Sequence, residues 1–160
     1  MTYGMMKKMT EQEAFARLSA LCAAAEHCSY EMEEKMRKWE MEEDCIKNVM
    51  KRLTDEKYVD DSRYCRFFVK DKLRYNKWGR RKIEQALFAK RIPEGIRRQA
   101  LDEIAGDEYA EILRPLLAGK RKTTKAASEY EMSGKLIRFA MSRGFDMDVI
   151  RRCIDCDGED

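Results

Sequence analysis

The chain has 160 residues with 44% hydrophobic and 39% charged side chains, and its formal net charge is +3. These values allow a buried core, and because the sequence has no run of about 18 apolar residues, a membrane-spanning helix is excluded. Only 2 Pro and 8 Gly interrupt a sequence rich in Ala, Leu, Met, Glu, Lys and Arg, whose side chains lose little rotamer freedom in a helix, and this predicts an all-α protein.

Three helices are predicted in the first third of the chain. Thr10 and Glu13 form a capping box that starts the first helix, whose apolar stripe begins at Phe15. Ser29 is the predicted N-cap of a second helix that runs to about Trp39. The third helix is indicated by apolar residues at positions i, i+3, i+4 and i+7, which are Ile46, Val49, Met50 and Leu53.

Three more helices are predicted in the middle of the chain. Asp60 or Asp61 caps the fourth helix, and Gly79 interrupts the chain before the fifth. Pro93 opens the sixth helix, since proline is favoured in a first helical turn. The middle of the chain is therefore predicted to contain a second group of three helices.

The last third of the chain again predicts three helices. Asp107 starts the seventh, and the polar tract Gly119–Lys125 follows it. Ser128 and Glu131 form a second capping box for the eighth helix, which ends at Gly144. The ninth helix is indicated by the apolar residues Val149, Ile150, Cys153 and Ile154.

A repeated joint divides these helices into three groups. The same pattern begins at Met41, Ile92 and Phe145, with periods of 51 and 53 residues. In each case an apolar residue is followed by three mostly acidic or turn-forming residues and then by a new apolar stripe. Such a period is typical of tandem helical repeats. We therefore predict an elongated array of three three-helix units, about nine helices in all, over residues 10–57, 58–106 and 107–156.

The start of the chain and the cysteines bear on the compartment. Met1–Met9 leads into the amphipathic stretch Phe15–Ala25 rather than a continuous apolar segment, so we expect no secretory signal. Several of the 6 cysteines occupy helix-face positions where a reduced thiol packs as a small hydrophobic group. We expect reduced cysteines and a cytoplasmic protein.

Residues for catalysis, metal or cofactor binding do not form a convincing set. His27 is the only histidine, and no partners for it as a base or ligand can be identified. Cys153 and Cys156 have the spacing of a redox or zinc motif, but Cys153 falls in the apolar stripe and no strand precedes it. Gly79 and Gly119 stand alone, so no phosphate-binding loop is indicated. We expect a protein that is not an enzyme and holds no metal or cofactor.

Charge is strongly segregated along the chain. Residues 26–61 have a net charge of −5, whereas residues 63–98 have +10 and residues 112–156 have +5. A local field of one sign attracts a polyanion even when the whole molecule is nearly neutral. The basic segments are the predicted binding surface, although a charge run can also be simply a solvated helix face.

Thirteen basic residues are the candidate contacts to a polyanion. At this density Lys and Arg neutralise phosphates and release counterions with little dependence on base sequence. An acidic protein surface is the other partner that they fit. The first basic cluster consists of Lys70, Lys72, Arg74, Lys77, Arg80, Arg81 and Lys82, and the second consists of Lys120, Arg121, Lys122 and Lys125, with Arg138 and Arg143.

Three segments together resemble the RecX family. Leu53–Val69 contains the Val-Asp-Asp turn followed by a helix of alternating Arg and aromatic residues, and Lys77–Ile83 is similar to the basic Gly-Arg-Arg-x-Ile segment of that family. Arg138–Ile150 is similar to the family's last unit. The resemblance extends over about residues 12–155, and Trp78 departs from it because many members have a smaller residue there.

The resemblance implies an array of three-helix units that lies in the groove of a filament of RecA recombinase on DNA. It implies a regulator, generally an inhibitor, of the recombinase ATPase and of strand exchange, rather than an enzyme. Its partners would be the RecA filament and single- or double-stranded DNA, the latter bound weakly and without sequence preference. We expect it to act as a monomer and not to associate with membranes.

Two other functions remain open from the sequence. An independent helix-turn-helix regulator would use residues 80–91 as a recognition helix in the major groove. A redox or metal enzyme would use Cys153 and Cys156, and would lose function on Cys156→Ser, a substitution that we expect to be tolerated.

Overall fold

The computed structural model describes residues 8–157, with side chains as far as Ile154. Over this range the chain forms nine α-helices and no strand, which confirms the predicted all-α array of three-helix units. The segment Met1–Met9, where we expect no secretory signal, lies largely outside the described residues. The helices are α1 (Glu11–Ala24), α2 (Ser29–Lys38), α3 (Glu43–Asp55), α4 (Asp61–Arg74), α5 (Arg80–Ala89), α6 (Glu94–Asp102), α7 (Gly106–Thr123), α8 (Glu129–Ser142) and α9 (Met147–Asp157).

The helices pack mainly within consecutive triplets. In the first triplet α3 packs against α1 and α2, in the second α4, α5 and α6 pack against one another, and in the third α7, α8 and α9 do the same. Close packing between triplets occurs between α4 and α7. Every helix between residues 8 and 157 is too short or too polar to traverse a bilayer.

The first triplet has a hydrophobic core of its own. Leu18, Met32, Met36 and Leu53 are fully buried in it, and Trp39 packs against its edge. Each such apolar side chain contributes about 1.5–3 kcal/mol on burial. The first triplet is thus a separately packed body.

The second and third triplets share one continuous core. Leu73, Ile83, Leu113 and Phe145 are among its fully buried members and come from α4, α5, α7 and the α8–α9 turn. Cys28, just before α2, is also buried in this cluster. The second and third triplets are therefore not independently packed units, because they bury their apolar side chains in the same core.

Polar contacts join the first triplet to the second. The Arg63 guanidinium lies 2.7 Å from a Glu26 carboxylate oxygen, and Lys90 Nζ lies 3.6 Å from Glu31 Oε2. Charged groups at a partly exposed joint contribute little, typically below about 1 kcal/mol each. The joint also has an apolar part, since Cys28 and Tyr30 of the first triplet pack with the core of the other two.

Side-chain caps fix several predicted helix starts. Thr10 Oγ1 accepts a hydrogen bond of 3.1 Å from the backbone N–H of Glu13, and Ser128 Oγ accepts one of 3.1 Å from that of Glu131. At α4 the cap is Asp60 and not Asp61, and its carboxylate accepts a hydrogen bond from the backbone N–H of Arg63. Each cap satisfies one of the backbone donors that a helix start leaves unpaired.

The N-cap of α2 differs from the prediction. Cys28, not Ser29, is the cap, and its backbone N–H donates to Glu31 Oε1 at 3.2 Å. The backbone N–H of Ser29 instead donates to Asp61 Oδ1 at 2.8 Å, across to α4. The prediction was wrong by one residue, because Ser29 lies in the first turn of α2 and its backbone N–H is bonded to a carboxylate of a helix that is distant in the sequence.

Helix α7 also differs, because it continues to Thr123 through most of the predicted polar tract. Lys120, Arg121 and Lys122 form its last turn, where cations interact favourably with the negative end of the helix dipole. The helix also contains Pro115 in its interior, which removes one backbone hydrogen bond.

Candidate polyanion-binding surface

A backbone joint links the start of α5 to the turn between α8 and α9. The N–H of Gly79 donates to the carbonyl of Arg143 at 2.8 Å, and the N–H of Arg81 donates to that of Gly144 at 2.9 Å. These bonds satisfy donors that the start of a helix otherwise leaves unpaired. The second and third triplets are thereby held in one register.

Glycine is required on both sides of this joint. A Cβ on Gly79 would lie well under 3.0 Å from the backbone of Gly144 and Phe145. Gly144 has a φ of +91°, and a Cβ there would overlap Lys82. Two close backbone segments therefore bring the basic start of α5 against the end of α8.

Trp78 lies between two lysines of the first basic cluster. Lys82 Nζ is 4.8 Å from the centroid of the indole, and Lys72 Nζ is 5.4 Å from it. Lys72 Nζ is also 5.4 Å from the ring of Phe68. Such distances are typical of cation–π interactions, worth about 0.5–1 kcal/mol at exposed sites.

Phe139 has the same role in the second basic cluster. Its ring centroid lies 5.2 Å from Lys120 Nζ and 5.4 Å from the Arg143 guanidinium carbon. Lys120 comes from the last turn of α7, whereas Arg143 caps the C-terminus of α8. One ring thus gathers cations from two helices.

The glycine joint brings the backbones of these two groups together, because Gly144 lies against Lys82 and directly follows Arg143. Lys82, Arg143 and Lys120 make no ion pair with a carboxylate of residues 8–154. Their charge is therefore available to an external anion. We call this surface the joint stripe, consisting of Lys72, Trp78, Lys82, Lys120, Phe139 and Arg143.

Three of the predicted contact residues form ion pairs within the protein. Lys72 Nζ lies 3.9 Å from Asp71 Oδ2. Arg80 Nη2 donates to Asp102 Oδ1 at 2.6 Å, and Arg121 Nη1 lies 3.1 Å from Glu129 Oε2. Partial burial lowers the pKa of Arg80, but the hydrogen bond to Asp102 outweighs it and the pKa is raised overall. These arginines are less available to a partner than the sequence suggests.

Lys77 is also engaged internally, since its Nζ donates to the carbonyl of Arg74 at 2.5 Å. Six other predicted residues are exposed, and none makes an ion pair with a carboxylate within the part of the chain whose side chains are described. They are Lys70, Arg74, Arg81, Lys122, Lys125 and Arg138. Arg81 and Lys82 also line a groove of about 300 Å³ with Met141 and Ser142 from α8.

The aromatic partners of the cations are candidate residues that the predicted contacts did not include. Phe68 precedes Lys72 by four positions, as Trp78 precedes Lys82 and Phe139 precedes Arg143. Phe68 and Lys72 lie within α4, where residues at i and i+4 share one face, whereas Trp78 precedes α5 and Arg143 is the C-cap of α8. A search for an aromatic residue four positions before each Lys or Arg therefore finds these pairs.

The other candidate chemical groups do not form a site in the described residues. His27 Nδ1 lies 3.7 Å from Glu31 Oε2, at the joint between the first two triplets. Cys153 is buried with its Sγ 3.7 Å from the carbonyl of Ala110, and the side chain of Cys156 lies outside the described residues. Among the side chains of residues 8–154, no group of three His, Cys, Asp or Glu could hold a metal ion.

The fold and surface define a class of protein, a tandem array of three-helix units with a cationic and aromatic stripe. Two family models match it, described as the second three-helix domain of RecX over residues 60–101 and the third over residues 107–154. The chain belongs to the RecX family of regulatory proteins, which confirms the resemblance found in the sequence.

Relatives support this assignment. The regulatory protein RecX of Vibrio campbellii is 31% identical over 140 residues, which cover 88% of this chain and 88% of that protein. The RecX of Clostridium perfringens strain 13 is 31% identical over 128 residues, which cover 76% of this chain but 59% of that protein. The chain spans about half the length of several other relatives that it matches.

A solved structure confirms the fold. The crystal structure of RecX from Lactobacillus salivarius superposes with a TM-score of 0.82 and covers 91% of this chain and 94% of its own. The sequence identity is 20%, so this similarity bears on the architecture.

Proposed function

We propose that this protein binds the filament formed by RecA recombinase on DNA and inhibits its ATPase and strand exchange during recombination and DNA repair. The observation that carries the proposal is the joint stripe, in which backbone contact between distant parts of a RecX-family chain brings together segments whose Lys82, Lys120 and Arg143 make no ion pair with residues 8–154. In this proposal the protein acts in the cytoplasm as a monomer, and it contributes no catalytic group.

The DNA part of the proposal follows from the chemistry of the stripe. Lys82, Lys120 and Arg143 are free to neutralise phosphates, and each neutralised phosphate releases a counterion. Three contacts to a single strand predict that log K falls with log salt concentration with a slope of about −2. No element of the stripe reads base edges, so we expect weak binding without sequence preference.

The first test is ATP hydrolysis by RecA on single-stranded DNA with stoichiometric amounts of this protein. We expect the hydrolysis rate to fall. The variant Lys82→Glu/Arg143→Glu should lose most of this effect, because both changes reverse charge in the joint stripe. An unchanged rate with the wild-type protein would contradict the proposal.

A matched control places the same charge change elsewhere. Lys38→Glu/Lys47→Glu alters exposed lysines of the first triplet that have no ion pair among the described residues. We expect this variant to inhibit hydrolysis as the wild-type protein does. Equal loss in both variants would indicate a general charge effect and not a surface at the joint.

The alternative of an independent helix-turn-helix regulator is less well supported. Recognition helices contact bases mainly with their N-terminal residues, whereas the backbone at the start of α5 is hydrogen-bonded to the α8–α9 turn and Arg80 is paired with Asp102. Footprinting without recombinase separates the two functions. Sequence-specific protection would favour the helix-turn-helix function over the one proposed.

A further inference from the structure

Helix α5 exposes a phenyl ring that its own packing does not use. Ile83 and Leu87 are fully buried on the inner face of α5, whereas Phe88 is 67% exposed. An exposed aromatic side chain matters most when its surroundings form a shaped and charged surface. Phe88 meets that condition.

Two grooves flank Phe88. Both are also lined by Arg97 of α6, so the phenyl ring forms a ridge between them. The first has a volume of about 320 Å³ and is lined by Arg81, Glu84, Gln85, Phe88 and Arg97. The second has a volume of about 450 Å³ and is lined by Phe88, Ala89, Arg91, Ile92 and Arg97.

The arginines around this ridge are not neutralised. Arg81, Arg91 and Arg97 make no ion pair with a carboxylate of residues 8–154. The Arg97 guanidinium lies 5.3 Å from the centroid of the Phe88 ring, with Nη1 donating to the Ile92 carbonyl. The Arg91 guanidinium lies 5.2 Å from the centroid of the Tyr30 ring. An apolar ridge therefore lies among positive charges that lack an acidic partner among residues 8–154.

The chemistry of these grooves fits a polypeptide better than a nucleic acid. Glu84 lines the first groove without an ion pair among residues 8–154, and its carboxylate accepts hydrogen bonds from the backbone N–H groups that a peptide segment offers along its length. Gln85 adds a donor and an acceptor. Arg97 also covers part of the Phe88 ring, which leaves less of it open for a stacked base.

We propose that this Phe88 surface, made of Arg81, Glu84, Gln85, Phe88, Arg91 and Arg97, binds a protein segment that carries acidic side chains beside an apolar one. The inference rests on the proposed function, in which the recombinase supplies that segment and the joint stripe holds the DNA. Aromatic and arginine side chains supply most of the energy of such interfaces.

The experiment compares two ligands for each variant. One is a fluorescein-labelled oligo-dT, followed by anisotropy, and the other is the RecA filament formed on the same oligonucleotide. We expect Phe88→Ala to weaken filament binding at least tenfold while changing oligonucleotide affinity less than twofold. Lys82→Glu should weaken binding to both ligands.

Two controls sharpen the comparison. Tyr130→Ala removes an aromatic side chain that is 91% exposed on α8, and it should leave both affinities unchanged. Phe88→Leu keeps an apolar ridge but removes the ring, so it should retain most of the filament affinity. Base stacking on Phe88 would instead be lost in both Phe88 variants.

The outcomes separate this inference from the proposed function. Failure of the wild-type protein to bind filaments overturns the proposed function. If the wild-type protein binds but Phe88→Ala binds equally well, or loses affinity for both ligands alike, the Phe88 inference is overturned and the proposed function stands. A dimer in sedimentation that Phe88→Ala abolishes would assign the surface to a second copy and overturn it as well.

Discussion

Two glycines decide how the basic clusters meet. Gly79 and Gly144 allow two backbone segments to approach so closely that a hydrogen bond of 2.8 Å forms between Gly79 N–H and the Arg143 carbonyl. Any other residue would add a Cβ where the neighbouring backbone already lies. The position of the joint stripe therefore depends on the absence of two side chains.

Gly79→Ala should destabilise the second and third triplets by about 1–3 kcal/mol, because the added methyl group forces a packed joint apart. Urea denaturation followed by circular dichroism measures the change. The same variant should bind the oligonucleotide more weakly, since the two halves of the stripe separate.

Gly119→Ala is the matched control, because a Cβ there meets nothing within 4 Å. Gly119 lies inside α7, so alanine should stabilise the protein by about 0.5–1 kcal/mol. Equal destabilisation by both substitutions would contradict the close approach at Gly79.

Buried thiols predict a loss of stability at alkaline pH. Burial raises the pKa of Cys65 from 9.0 to about 11, so above pH 9 the unfolded chain releases a proton that the folded chain keeps. Stability is thus complete below pH 9 and falls between pH 9 and 11, by about 1 kcal/mol at pH 10 for this thiol. Urea denaturation at pH 7 and pH 10 measures the loss.

Cys65→Ala removes this contribution, so the variant should lose less stability than the wild-type protein between the same two pH values. A second measurement is the rate of Cys65 alkylation at pH 8. The thiol of the folded protein should react about a hundredfold more slowly than that of the chain unfolded in urea. Rapid alkylation of Cys65 in the folded protein would refute the burial that raises its pKa.

At the scale of elements, the start of α5 is bonded to α6 and to the third triplet. Arg80 reaches Asp102 at the end of α6, while Arg81 N–H reaches the α8–α9 turn. A charge reversal at Arg80 therefore tests stability as well as binding. Arg81 and Lys82 are the cleaner positions for binding experiments.

Arg80→Glu should lower the free energy of unfolding by about 0.5–1 kcal/mol, since it replaces a partly exposed ion pair by two like charges. Arg81→Glu should change stability by less than about 0.5 kcal/mol. The double variant Arg80→Glu/Asp102→Arg should recover most of the loss in a urea titration. No recovery would indicate that the ion pair is not what Arg80 contributes.

Most elements were predictable because their signals are local. The capping boxes at Thr10 and Ser128 act within one helical turn, so the sequence suffices to place them. The N-cap of α2 was predicted one residue too late, because the backbone N–H of Ser29 is bonded to Asp61 of α4, which lies far away in the sequence. The length of α7 was underestimated, because a favourable charge–dipole interaction stabilises its basic last turn.

At the scale of the whole molecule, two separate cores predict two unfolding transitions. Each core has its own tryptophan reporter, because Trp39 packs against the first and Trp78 against the second. In a Trp78→Phe background, Leu18→Ala should lower the stability reported by Trp39 by about 2–5 kcal/mol. Fluorescence during urea denaturation measures it.

The reciprocal pair is the control. In a Trp39→Phe background, Leu113→Ala should affect the Trp78 transition by a similar amount, and Leu18→Ala should leave that transition nearly unchanged. Coincident transitions that respond equally to both substitutions would show that the three triplets unfold as one cooperative body.

The candidate surface was only partly predictable at this scale. Charge counts indicated the basic segments, but they gave equal weight to Arg80, which is paired internally, and to Lys82, which is not. The joint that unites the two clusters depends on backbone contact between residues more than sixty positions apart. No pattern in one sequence reports such a contact.

The joint also has a consequence for synthesis of the chain. Helix α5 obtains acceptors for its first backbone donors from the carbonyls of Arg143 and Gly144, which the ribosome adds long after α5 itself. The first triplet can complete its core during translation, whereas the second waits for the third to emerge. A ribosome stalled before Arg143 should therefore carry a nascent chain whose N-terminal helices resist protease while α5 is still cleaved.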